Sequence, residues 1–219
     1  MVRVYATDSS SKKGLSVAWR DLDVTFPASK NKGSDVHAVR RCSGGAAAGR
    51  LTALMGPAGS GKTTLLNCLA HRDERPTAGA VRFIRTDDHM PLVWTPEMRS
   101  QIGFVPQSDI VFERLTVRQS LEFSASLRLP ASMSGPERTE RVGDVMTSLH
   151  LSNYVNTLVG DTSSHHHPLS SAERKRLCIA TELLTEVRML LLDEPTSGFD
   201  AAMAVVVIDA LASLAKVRT

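Results

Sequence analysis

A short apolar run, Leu51 to Met55, leads into Gly56-Pro57-Ala58-Gly59-Ser60-Gly61-Lys62-Thr63, and Thr63 to Ala70 follows as a helix-forming segment. This feature narrows the possible folds more than any other. The nearly unbroken apolar run predicts a strand covered on both faces in a parallel sheet, so strand, Gly-rich turn and helix together open a β-loop-α unit. The octapeptide fits G-x-x-x-x-G-K-[ST], a loop that wraps phosphates. Glycines at 56, 59 and 61 let the backbone bend until successive N–H groups point into one concavity, and the helix beginning near Lys62 adds the positive end of its dipole. An anion is the natural ligand. Backbone from Gly56 through Pro57, Ala58, Gly59, Ser60 and Gly61 to Thr64 would line a nucleoside triphosphate. Ser60 and Lys62 would meet phosphate oxygens, and the Thr63 hydroxyl would ligate Mg²⁺.

A second apolar run, Met189 to Leu192, ends in the adjacent carboxylates Asp193 and Glu194. Ligands of open α/β sheets collect at the carboxyl ends of strands, which is where this pair would lie. Asp193 would hold the metal, and Glu194, differently directed, would orient and deprotonate an attacking water. The turn-rich Pro195-Thr196-Ser197-Gly198-Phe199-Asp200 follows and supplies a further carboxylate.

Around these runs the chain reads as one organised unit. Leu22, Val24 and Phe26 alternate with polar residues as in an edge or antiparallel strand, and Pro27 to Ser34 reads as a solvated loop. Thr116 with Gln119 forms a capping box before Val117, Leu121 and Ala125. Pro136 suits the first turn of a helix carrying Val142, Val145, Met146 and Leu149 on one face. Ser170 with Glu173 caps a third helix, with a stripe at Leu177, Ala180, Leu184 and Val187. Residues 1–14 are polar and Ser/Lys-rich and predict a disordered lead-in.

Composition excludes some classes. The 219 residues, 42% of them apolar, suffice for one large α/β domain, and the net charge of +3 is spread over scattered groups such as Arg40-Arg41 and Arg174-Lys175-Arg176. Nothing there resembles an extended nucleic-acid footprint. Cys42, Cys68 and Cys178 are odd in number and far apart, the pattern of free thiols in a reducing compartment. The longest apolar candidate, Ala201 to Ala215, is interrupted by Asp209 and falls short of a membrane span, and no secretory leader follows Met1. His165-His166-His167 reads as solvated loop rather than a metal site, and His71, His89 and His150 as surface residues.

Taken together, the Gly56 loop, Ile102-Gly103-Phe104-Val105-Pro106-Gln107, Leu169-Ser170-Ser171-Ala172-Glu173-Arg174-Lys175-Arg176 and Leu192 through Asp200 resemble the nucleotide-binding domain of ATP-binding cassette (ABC) transporters. Leu115-Thr116-Val117-Arg118, Phe123-Ser124-Ala125 and Glu173-Arg174-Lys175-Arg176 are more specifically similar to the G (white/pigment) subfamily, whose members couple ATP to movement of lipids, sterols and drug-like compounds. The resemblance covers about residues 15–219. It implies an α/β P-loop NTPase of the ABC type: a mixed β core, an antiparallel β portion near the N-terminus and a helical subdomain inserted at about 108–187. It also implies ATP and Mg²⁺ as cofactors and hydrolysis to ADP and phosphate. Glu194, Lys62 and Gln107 would be catalytic, with Thr63, Gln107 and Asp193 around the metal. Gln107 would sense the γ-phosphate and relay to the membrane domain. Ser170 would contact the γ-phosphate held by an opposite cassette, and Asp200 would lie in the loop crossing that interface. The implied partners are a second nucleotide-binding domain and a transmembrane domain in the same parent chain, at the cytosolic face of a membrane; no nucleic acid is implied.

Three departures qualify the resemblance. The family's Leu-Ser-Gly-Gly signature has Ser171 and Ala172 in place of its glycines, after Pro168 where glycine is common, and each added Cβ narrows the approach of backbone N–H groups to a partner's phosphate. The expectation is a weakened composite site at this signature and a non-identical partner cassette. The family's switch-loop histidine is not reached before Thr219, so the cassette is expected to be cut short. An adenine-stacking aromatic would fall near Val24, with Phe26 the possible substitute. Two other readings stand beside the transporter. A soluble ABC-type ATPase would need two cassettes or a coiled-coil insertion, and no heptad run occurs; a regulatory cassette that binds without hydrolysing is suggested by the altered signature and opposed by Glu194.

Overall fold

The computed structural model describes residues 2–6, 14–27, 34–72, 76–86, 90–92, 94–160 and 169–217. In chain order the elements are β1 (Val2–Ala6), β2 (Leu15–Phe26), β3 (Val36–Ala46), β4 (Leu51–Leu54), α1 (Lys62–Leu69), β5 (Ala78–Arg85), β6 (Pro91–Leu92), β7 (Ile102–Val105), α2 (Val117–Arg128), α3 (Gly135–Ser148), α4 (Ser171–Leu183), β8 (Met189–Leu192) and α5 (Ala201–Val217). One four-stranded sheet runs β4-β1-β8-β7 and the other runs β3-β2-β5-β6.

The first sheet is mixed: β7 and β8 are parallel, and β1 lies antiparallel between β4 and β8. β7 and β8 are buried along their whole length, as uninterrupted apolar runs require when both faces are covered. Their alternate residues serve different cores. Leu190 and Leu192 join Val105 in a core shared with α2 through α5, whereas Met189 and Leu191 join Ile102 and Phe104 in a core shared with α1 and the antiparallel sheet.

The second sheet is antiparallel throughout. In β2 the inward positions change parity, from Leu15, Val17 and Trp19 to Leu22 and Val24, all of them buried. A regular strand would turn the second set to solvent. The pairing of β2 with both neighbours shifts between Trp19 and Asp23, and Asp21 takes φ 47. This bulge adds the residue that returns Leu22 and Val24 to the core.

The helical region is pinned by its caps. Thr116/Gln119, Ser134/Glu137 and Ser170/Glu173 each form a reciprocal capping box, and Pro136 sits in the first turn of α3. Val142, Val145, Met146 and Leu149 are buried as their spacing predicts. Arg141 donates from Nε and Nη2 to the carbonyls of Leu184 (2.9 Å) and Leu183 (2.7 Å), satisfying the open C-terminus of α4 from outside.

Two expectations are corrected here. Residues 2–6 are not a disordered lead-in: they form β1 in the centre of the mixed sheet, with registers Val2↔Leu54 and Arg3↔Leu192. The Ser/Lys stretch that follows them dominates the composition of 1–14 and conceals a short V-R-V alternation. β4 is not covered on both faces either. It lies at the sheet edge beside β1 alone, its residues are half-buried or exposed, and Met55 after it is 76% exposed. An apolar run signals burial but does not say whether the strand lies at the edge.

Candidate nucleotide site at the strand ends

The loop after β4 turns on glycine. Gly61, N-cap of α1, has φ +84, and a Cβ there would lie 2.2 Å from the carbonyl oxygen of Ala38 in β3. Gly59 also needs the left-handed region, at φ +76, while a Cβ on Gly56 would meet Ser60 Oγ at 2.6 Å. The loop therefore packs directly on β3, and a cleft of about 720 Å³ runs between them, lined by His37, Val39, Arg40, Gly59, Ser60 and Lys62 among others. The Lys62 ammonium folds back over the loop and donates to the carbonyls of Gly56 (3.1 Å) and Pro57 (2.8 Å).

Thr63 Oγ1 donates to Asp193 Oδ2 at 2.8 Å, joining the start of α1 to the end of β8 across 130 residues of sequence. Asp193 is only 3% exposed, and its Oδ1 is buried with no hydrogen-bond partner among the described residues. A buried carboxylate oxygen left unsatisfied is unusual in a folded protein. Beside a threonine hydroxyl it belongs to the oxygen-only donor set that a hard divalent cation takes, so the residues present fit Mg²⁺. Glu194 adopts φ 46, rare for a residue with a Cβ. This conformation directs it differently from Asp193, and its Oε2 accepts a hydrogen bond of 2.9 Å from Gln107 Nε2, on the loop after β7.

The loop residues, Asp193, Glu194 and Gln107 thus come together. Two other site residues make their bonds elsewhere. Ser170 lies within its own helix end: its hydroxyl accepts from Glu173 N (3.3 Å) and its N–H donates to Glu173 Oε2 (2.7 Å). Ser171 is exposed in the first turn of α4, and Ala172 is buried there. Asp200 Oδ1 accepts from Met203 N at 2.8 Å, which makes it a cap for α5.

A sequence model of the family described as ABC transporter matches residues 39–197. The chain belongs to the ABC transporter family. It is 34% identical to ABC transporter G family member 1 of Dictyostelium discoideum, over 95% of this chain and 26% of that protein. It is 36% identical to ABC transporter G family member 28 of Arabidopsis thaliana, over 93% of this chain and 17% of the relative. With Protein white of Ceratitis capitata the identity is 39%, over 82% of this chain and 25% of the relative. The chain thus spans about a quarter or less of these relatives. Among solved structures, the cassette MJ0796, a dimer in a post-hydrolysis state with ADP and Pi, superposes with a TM-score of 0.67 at 24% identity, covering 91% of this chain and 83% of that one. CbiO1 of Clostridium perfringens gives 0.73 at 24% identity, covering 92% and 74%. At that identity the likeness establishes the P-loop cassette fold.

Within this ABC cassette several sequence expectations change. Val24 is buried in the β core and Phe26 is 39% exposed, and neither lines the cleft. The β3 residues His37, Val39 and Arg40 line it instead; they carry no motif, and only folding β3 against the Gly61 turn brings them there. His71 is not a simple surface residue: it is half-buried and stacked on Trp94, with ring centroids 4.2 Å apart. His150 is exposed as expected, while His89, Pro168 and His165-His166-His167 lie outside the described residues. All three cysteines are free. Burial, with the nearby Asp109 carboxylate, pushes the Cys178 thiol up to about 11, so it stays protonated at neutral pH. Arg174, Lys175 and Arg176, read from sequence as an ordinary basic group, are all buried. No described helix is long and apolar enough to cross a membrane.

Proposed function

We propose that this cassette binds Mg·ATP and hydrolyses it to ADP and phosphate, powering a G-type transporter for lipids, sterols or drug-like compounds. The Thr63–Asp193 hydrogen bond carries this reading. It brings the phosphate-loop hydroxyl and a buried, half-satisfied carboxylate together at the end of β8, where a phosphate-bound cation would need both.

In this reading the loop amides and Ser60 receive phosphate oxygens, and Lys62 moves from the Gly56 and Pro57 carbonyls onto the β- and γ-phosphates. Thr63, Asp193 and Gln107 would hold Mg²⁺, which when bound neutralises charge on the phosphates being separated. Glu194 aligns a water for in-line attack on the γ-phosphorus and takes its proton as the bond to the β,γ-bridging oxygen breaks. Gln107, already bonded to Glu194, fixes that carboxylate's direction.

The partners proposed are a second cassette, whose γ-phosphate Ser170 would meet, and a membrane domain of the same parent chain, which would place this cassette at the cytosolic face. The loop after Gln107 supports the second partner. Ile110 is 79% exposed, and Phe112 and Phe123, 52% and 45% exposed, stack edge to face at 5.2 Å beside a cleft of about 570 Å³. An exposed apolar patch contiguous with the Gln107 loop is suited to dock the domain whose movement turnover drives. We further propose that the cassette occupies 15–219 together with the strand at 2–6 that pairs into its sheet, and that its helical subdomain spans about 108–187.

Two measurements test this reading. The folded protein should retain labelled ATP in a Mg²⁺-dependent manner, and no retention at any Mg²⁺ concentration refutes it. The signature is proposed to be weak, because the first turn of α4 carries side chains at 171 and 172 and Ser170 already bonds its own helix. Ser171→Gly with Ala172→Gly should therefore raise ATP turnover in the assembled transporter, although each glycine weakens α4 by about 1 kcal/mol. Unchanged turnover argues against a weakened composite site and the non-identical partner it implies.

A further inference from the structure

Lys175 is 3% exposed, in the first turns of α4. A buried ammonium is tolerated only where its charge is paired and its donors are used. Lys175 meets both conditions within one short segment. Its Nζ donates to the carbonyls of Pro106 (3.2 Å) and Gln107 (2.9 Å) and pairs with Asp109 Oδ1 at 2.6 Å. A lysine has three protons to donate, and all of them go to residues 106–109.

The neighbouring cations face other segments. Arg174 donates to Gly160 O (2.6 Å), and Arg176 to Leu149 O (3.2 Å) and His150 O (3.1 Å). Lys175 alone of the three reaches the loop that carries Gln107. That loop needs an anchor, since residues 107–112 form neither helix nor strand and carry exposed apolar side chains. From the anchored backbone, Gln107 reaches Glu194 at 2.9 Å. A chain of short contacts therefore runs from the helix that follows Ser170, through Lys175 and the Gln107 backbone, to the Glu194 carboxylate proposed as the base.

We propose that Lys175 is a positioning residue for turnover, setting the Gln107 loop in register with Glu194 and linking that register to α4. The proposal rests on the reading of Gln107 and Glu194 above. The phosphate loop is untouched by it, so affinity for ATP in the absence of Mg²⁺, where Gln107 has no metal to hold, should not depend on Lys175.

In the full-length protein, Lys175→Met keeps the length and removes the donors. Turnover should fall about 10- to 100-fold, the cost of a misplacement of roughly an ångström, while the dissociation constant for ATP measured without Mg²⁺ stays within about twofold. Because the single variant leaves Asp109 and two carbonyls unpaired, Lys175→Met with Asp109→Leu serves as the folding control. The double variant removes the orphaned carboxylate and should recover most of the Tm lost in the single variant while keeping the low turnover. Cys178, whose Sγ lies 3.9 Å from both Asp109 Oδ1 and Ile110 O beneath this loop, reports loop release directly. Its alkylation, measured well below the Tm of either protein, should accelerate in the double variant. Parental turnover in the double variant, or Mg²⁺-free ATP affinity falling in step with turnover, overturns the proposal. Unchanged Cys178 alkylation overturns it whether or not the protein hydrolyses ATP. A parent that shows no turnover, with alkylation accelerated in the double variant, overturns the catalytic reading and leaves the anchor standing.

Discussion

Glu194→Gln should bind Mg·ATP as the parent does and lose ATP turnover by about 10²- to 10⁴-fold, the range expected when a positioned general base is removed. The amide keeps the size of the side chain, and its oxygen can still accept from Gln107 Nε2, so the 2.9 Å contact survives the change. What it cannot do is take a proton from water. The left-handed backbone at Glu194 separates the effect from that of Asp193, whose carboxylate points back to Thr63. Phosphate release measured beside equilibrium nucleotide binding reads both numbers. Equal turnover in variant and parent would remove Glu194 from the role assigned to it.

Gly61→Ala should be the most damaging conservative change in the phosphate loop. The new Cβ must hold a left-handed backbone, worth about 1–2 kcal/mol, and sit 2.2 Å from a backbone oxygen of β3, where overpacking costs roughly another 1–3 kcal/mol. Ala38 O belongs to a strand paired along β2, so it cannot move aside as a flexible side-chain tip would. Gly59→Ala is the matched control. It shares the left-handed backbone, at φ +76, but finds nothing within 4 Å, and should lose only the backbone contribution. Urea unfolding of the two variants should rank them with Gly61→Ala well below Gly59→Ala, and nucleotide affinity should follow the same order. Equal midpoints would mean that the loop does not press on β3.

How much of this was legible in the residues depended on the range of the signal. Caps act over three positions, and Thr116/Gln119 and Ser170/Glu173 formed as their spacing predicted. The uninterrupted run at Met189–Leu192 predicted its own burial, and Asp193 after it met Thr63 of the phosphate loop. What escaped was set by distant parts of the chain. Whether Leu51–Leu54 lies inside or at an edge depends on which strand pairs beside it. The burial of Lys175 depends on a loop almost 70 residues earlier in the chain offering it three oxygens. At Asp200 the addition is local: its Oδ1 bonds the first turn of α5, a use that its turn-rich surroundings did not announce.

β7 and β8 act as a party wall between two separately filled compartments, each strand showing one side to the helices and the other to the antiparallel sheet. Neither compartment can tilt against the other without twisting that partition. Gln107, Asp193 and Glu194 lie just beyond its free ends, so a change in how the halves lean would be felt first by the groups proposed to face the nucleotide.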